Sequence, residues 1–112
     1  MRTLLLVLSL SSFAALAQKN PDLEKAQAQL AQRKYADALK SLDAAEKKGG
    51  LDRDSYLTLL ESKGLALAQT GKADAAELSF RSVLCLDPRR ELAGKYAGPV
   101  GKPIAAAIEW AK

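Results

Sequence analysis

The spacing of apolar residues constrains this chain more than any other feature. Between Asn20 and Leu86 they recur three and four positions apart, in segments cut by glycine and proline. That recurrence is the period of an α-helix buried along one side. No segment alternates with a period of two, and valine, isoleucine and threonine are few. A strand needs that alternation or that composition. The chain is therefore expected to be all-α.

The helix limits follow from capping chemistry. Asn20-Pro21 predicts a start: the asparagine caps free N–H groups, proline's fixed φ suits the first turn, and Asp22 and Glu24 sit at the positive end of the helix dipole. Leu23, Ala26, Leu30 and Ala31 carry the period to about Arg33. Tyr35, Ala38, Leu39, Leu42 and Ala45 define a second helix, ended by Lys47-Lys48 and Gly49-Gly50. Asp52 or Asp54 caps a third, whose Leu57, Leu60, Gly64, Leu67 and Ala68 form one stripe before Gly71. A fourth, from Ala73 to Leu86, carries Ala76, Phe80, Val83 and Leu84 on one face. It closes at Asp87-Pro88, because proline disfavours helix in the residue before it. Residues 89–102, with three glycines and Pro99, read as an irregular linker. Pro103 opens a last helix, 103–112, with Ile104, Ala107, Ile108 and Ala111 at i, i+3, i+4 and i+7.

These helices repeat. Arg33-Lys34-Tyr35-Ala36-Asp37-Ala38 aligns with Gly71-Lys72-Ala73-Asp74-Ala75-Ala76, and from that anchor Ala38 matches Ala76, Leu42 matches Phe80 and Ala45 matches Val83. The second unit resembles the tetratricopeptide repeat, a pair of antiparallel helices with small and aromatic residues at fixed spacings. Gly64 holds the small position, Leu67 the aromatic slot and Gly71 the turn. Ala76 and Phe80 give A-x3-F, and Pro88 falls at the terminal proline. Leu60 stands where the family often has tryptophan, and Lys63 replaces the usual leucine. The first unit matches less well, with Ala26 at the small position but Gln29 in the aromatic slot. The resemblance implies two helical hairpins, 21–48 and 52–88, followed by a capping helix. It further implies a concave surface lined by the first helix of each pair, which on the third helix points to Thr58, Glu61, Leu65 and Gln69 as partner-binding residues. Leu78 and Cys85 point away from the Phe80 face, so the last helix is expected to cover them and to bury Cys85.

The first seventeen residues form a separate unit. Met1-Arg2 is positive, Leu4 to Leu10 is apolar except for Ser9, and Ala15-Leu16-Ala17 supplies small residues for a signal peptidase. This is the pattern of a secretory signal peptide cleaved after Ala17, and it is too short for a membrane span. Export to the periplasm or the exterior is expected, with no span left after cleavage. The single cysteine, Cys85, excludes a disulfide framework within the chain.

Much chemistry is excluded. The 112 residues contain no histidine, which removes Ser-His and Cys-His nucleophile pairs and most zinc sites. Gly94, Gly98 and Gly101 follow no strand and carry no G-K-[ST], so no phosphate loop is present. The carboxylates are scattered, and no cofactor is expected. A net charge of +4 without a clustered basic patch gives no nucleic-acid surface. The reading is a non-catalytic scaffold that binds another protein or peptide. Two alternatives stay open: a self-associating structural protein with Trp110, Ile104 and Ile108 as the seam of a homodimer, or the front part of a longer envelope protein.

Overall fold

A computed structural model describes residues 20–92, 96 and 98–112; the apolar leader segment lies outside them. The described residues form five α-helices and no strand. The helices are α1 (Pro21–Ala31), α2 (Tyr35–Lys48), α3 (Arg53–Gln69), α4 (Ala73–Leu86) and α5 (Gly101–Ala111), with a 3-10 turn at Gly98–Val100 leading into α5. The fold is all-α.

Asn20 starts α1 and also fastens it. Its Oδ1 accepts from the backbone N–H groups of Asp22 and Leu23 at 3.1 and 3.2 Å. Its Nδ2 donates to the carbonyl of Ala45 at 3.1 Å, so one buried side chain caps α1 and ties it to α2.

The turns after α1 and α3 are built from the same hydrogen bonds. After α1, the N–H of Lys34 reaches the Gln29 carbonyl and that of Arg33 reaches Leu30. After α3, Lys72 reaches Leu67 and Gly71 reaches Ala68. Both are Schellman turns, in which a residue with left-handed backbone closes the helix end. Arg33 has φ 62° and Gly71 φ 83°. Each acceptor and donor in the first turn lies 38 residues before its counterpart in the second, so the sequence repeat is a repeat of backbone geometry.

Helix α3 occupies the centre, packed against α1, α2, α4 and the 3-10 turn. Its buried residues are Leu57, Leu59, Leu60, Glu61, Ser62, Gly64, Ala66 and Ala68, which lie all round its circumference. The single stripe expected from sequence is therefore too narrow. A helix enclosed by neighbours has no solvent side to keep polar. Where α3 crosses α4, Gly64 lies under the ring of fully buried Phe80. A Cβ placed on Gly64 would sit 2.7, 2.8 and 3.0 Å from three ring carbons. Lys63 fastens α3 to α2 through Glu46 at 3.0 Å and Asp43 at 3.4 Å. Partial burial pushes its pKa down, and the two carboxylates outweigh that and hold it above the ordinary value.

Three details differ from the sequence reading. Helix α5 begins at Gly101, with Pro103 inside its first turn, where a missing N–H removes no helical bond. The stretch read as a linker carries core residues: Leu92 and Val100 are buried, and Tyr96 is half-buried against the core. Most consequentially, α5 buries Ile104 and Ala107 but leaves Leu78 and Cys85 exposed. Ile108 of α5 shares a hollow with Leu84 of α4. Leu84 and Cys85 are a helical step of about 100° apart, so covering one leaves the other in solvent.

Candidate interaction surface

The four residues assigned to a partner groove do not form one open surface. Thr58 lines a shallow hollow between α1 and α3, of about 250 Å3, with Leu23, Glu24, Gln27, Asp54 and Ser55. Leu65 is half-buried against the core, and Gln69 is half-buried in the last turn of α3. Glu61 is buried and already engaged. It accepts from Nε of Arg90 at 2.8 Å and from the hydroxyl of Tyr96, residues 29 and 35 positions later. Burial and the neighbouring Glu61 carboxylate raise the Tyr96 pKa well above that of a free phenol, so the hydroxyl keeps its proton and donates. Glu61 thus anchors the segment that follows α4 to α3, and its carboxylate is already engaged within the chain. A buried carboxylate without a cation or donor would be costly, which accounts for both partners.

Of the packing residues, Gly64, Ala76 and Phe80 are buried, Leu67 packs against the core, and Gly71 forms the exposed turn. Pro88 is exposed and ends α4 without packing into it.

The open apolar surface lies elsewhere. Leu78, Leu86 and Trp110 are 59, 46 and 49% exposed, the large hydrophobic residues most open to solvent among those described. All three border one hollow of about 550 Å3 formed by α3, α4 and the end of α5, with Tyr56, Leu60, Arg81, Ser82 and Cys85 completing it. Leu78, Ser82, Cys85 and Leu86 follow one another along α4 at helical spacing, so the hollow runs parallel to that helix. The Arg81 guanidinium lies 4.9 Å from the centroid of the Trp110 ring and pairs with Glu77, one turn back on α4. That cation–π contact tethers the indole at the rim of the hollow. Arg53 Nη2 donates to the Leu86 carbonyl, closing the end where α3 begins and α4 ends.

Sequence reading singled out Trp110 but grouped it with Ile104 and Ile108. The structure buries Ile104 against the core, half-buries Ile108, and joins Trp110 to Leu78 and Leu86 instead. The signal available in sequence was the stripe on α4 facing away from Phe80.

Among the described residues no group of histidine, cysteine, aspartate and glutamate could hold a metal ion. No described helix is long and apolar enough to cross a membrane. Compared with family models, curated proteins and solved structures, the chain matches none of them.

Proposed function

We propose that this chain is an exported, non-catalytic interaction scaffold of tetratricopeptide type, and that it binds protein through the apolar hollow between α3, α4 and α5. The observation that carries the reading is the convergence of Leu78, Leu86 and Trp110 on that one hollow. Soluble monomers seldom leave contiguous apolar patches open without a binding role. A groove bordered by residues at helical spacing suits an amphipathic helix, which would lay its apolar face between Leu78 and Trp110. The matched turns after α1 and α3, with Gly64 under Phe80, support the repeat assignment. The basic start, apolar run and Ala15-Leu16-Ala17 support export to the periplasm or beyond.

Photo-crosslinking in the exporting cell tests this. A photoreactive side chain at Leu86 is expected to give discrete protein adducts, whereas one at exposed Lys25 on α1 gives none. Adducts from both positions alike, or from neither, would remove the hollow as a binding surface.

A further inference from the structure

We infer that a second hollow, bordered by Arg90 and the ends of α4 and α5, binds a small organic monocarboxylate with an apolar tail. This hollow, of about 520 Å3, shares no residue with the docking surface described above, and the inference does not rest on that surface. Leu84, Pro88, Leu92, Ile108 and Ala111 form its apolar wall, and Arg90 stands among them.

Arg90 is set in place at both ends. Its backbone N–H donates to the Asp87 carbonyl at 3.1 Å, closing the turn that follows α4. Its Nε donates to Glu61 at 2.8 Å, and Glu61 is buried and held in turn by the Tyr96 hydroxyl. The remaining donors are open: neither Nη1 nor Nη2 makes a hydrogen bond among the described residues, and neither is buried. A guanidinium held through Nε keeps its far edge, two parallel N–H groups that match the two oxygens of a carboxylate. With the arginine already ordered, less side-chain freedom is lost when an anion takes that edge.

Charge and size select the class of ligand. Glu61 behind the guanidinium and Glu91 at the rim oppose a second negative charge, and Lys112, which could offset them, is paired with Glu109. A monoanion therefore fits better than a phosphate. The volume, about 520 Å3, falls within the roughly 300–1,000 Å3 of small-molecule sites, which join apolar walls to a few placed polar groups. The carboxylate would meet Arg90 while the tail lies along Leu84, Leu92 and Ile108.

Octanoate is the probe, titrated into the purified protein and followed by calorimetry and by amide chemical shifts. Saturable binding with a Kd of about 1 mM or tighter is expected, with the largest shifts at Leu92, Ile108 and Ala111. Octanol, with the same tail and no charge, should bind at least about 10-fold more weakly, and octyl phosphate should bind no tighter than octanoate. Arg90→Lys keeps a cation for Glu61 but loses the planar edge, and should weaken octanoate at least about 10-fold. Ala111→Glu places a negative charge on an exposed part of the wall without touching the Glu61 anchor. It should weaken octanoate about 5-fold or more and leave the helical circular dichroism intact. Leu78→Glu, in the other hollow, should leave octanoate binding unchanged. No saturable binding up to about 10 mM overturns the inference, and so does octanol that binds as well as octanoate. Tighter binding of octyl phosphate overturns the selection of a monoanion. Parent affinity in Ala111→Glu, or lost affinity in Leu78→Glu, overturns the placement of the site.

Discussion

Replacing Gly64 with alanine tests how α3 and α4 are fitted together. The new Cβ would stand 2.7, 2.8 and 3.0 Å from three carbons of the Phe80 ring, against a comfortable carbon–carbon separation of about 3.5–4.0 Å. Phe80 is fully buried, so its ring cannot swing into solvent, and the strain must pass into the backbone. Overpacking of this kind costs about 1–3 kcal/mol, and three simultaneous contacts place Gly64→Ala toward the upper end. Alanine returns about 1 kcal/mol through its better helix propensity. The net expectation is a loss of about 2 kcal/mol. Phe80→Leu alone should also destabilise, by about 1–2 kcal/mol of lost apolar burial. Combined, the two should cost less than their sum by about 2 kcal/mol, because the shorter side chain clears the new methyl group. The double variant then carries alanine opposite leucine, the pairing that Ala26 and Leu42 provide at the equivalent positions of the first hairpin. Urea unfolding followed by far-ultraviolet circular dichroism gives the four stabilities of the cycle. Additive effects within about 0.5 kcal/mol, or a stabilised Gly64→Ala, would refute the close crossing at this position.

Two further outcomes follow from the turns and from the buried carboxylate. Arg33 holds a left-handed backbone that costs a non-glycine residue about 1–2 kcal/mol. Arg33→Gly should recover that strain less about 0.4–1 kcal/mol of extra unfolded-state entropy, for a net gain of about 0.5–1 kcal/mol, while Gly71→Ala should lose about 1 kcal/mol; thermal unfolding checks both. The Tyr96 pKa lies above its unfolded value, so its contribution to stability is complete below about pH 10 and declines as the pH rises past that point. Urea midpoints measured between pH 8 and 11 should therefore fall less steeply for Tyr96→Phe than for the parent; equal slopes would show that the phenol is not protected by folding.

How much of this was legible in sequence depended on whether the governing contact was local. Asn20-Pro21, the Gly49-Gly50 stop and the Asp52 cap are decided within a turn of backbone, and the structure forms each where the residues indicate. Helix α3 was harder, because Leu59 and Ala66 lie off the stripe and are buried only once helices distant in sequence close around them. The burial of Glu61 was hidden for the same reason. A charge on a helix normally faces water, and nothing near Glu61 in the chain announces that Arg90 and Tyr96 will fold back to it. Residues 89–102 contain no helical or strand period, yet Leu92 and Val100 enter the core as isolated anchors. The exposed stripe on α4 was visible as a stripe; which side of α4 the last helix would take was not, since Leu84 and Cys85 are adjacent and either could have been covered.

The enclosure of α3 also decides how the molecule comes apart. In long helical arrays each unit touches only its neighbours, so units can open one at a time. Here α3 is half of one hairpin and a wall of the other, and it carries the Glu61 anchor for the segment leading to α5. Peeling away the second hairpin would strip the first of its cover, through Gln27–Ser62 and Lys63–Glu46 as well as through the core. Neither helix pair is therefore expected to be stable without the other. Unfolding should therefore run as a single transition, with the amide protons of α3 exchanging only when the entire chain opens.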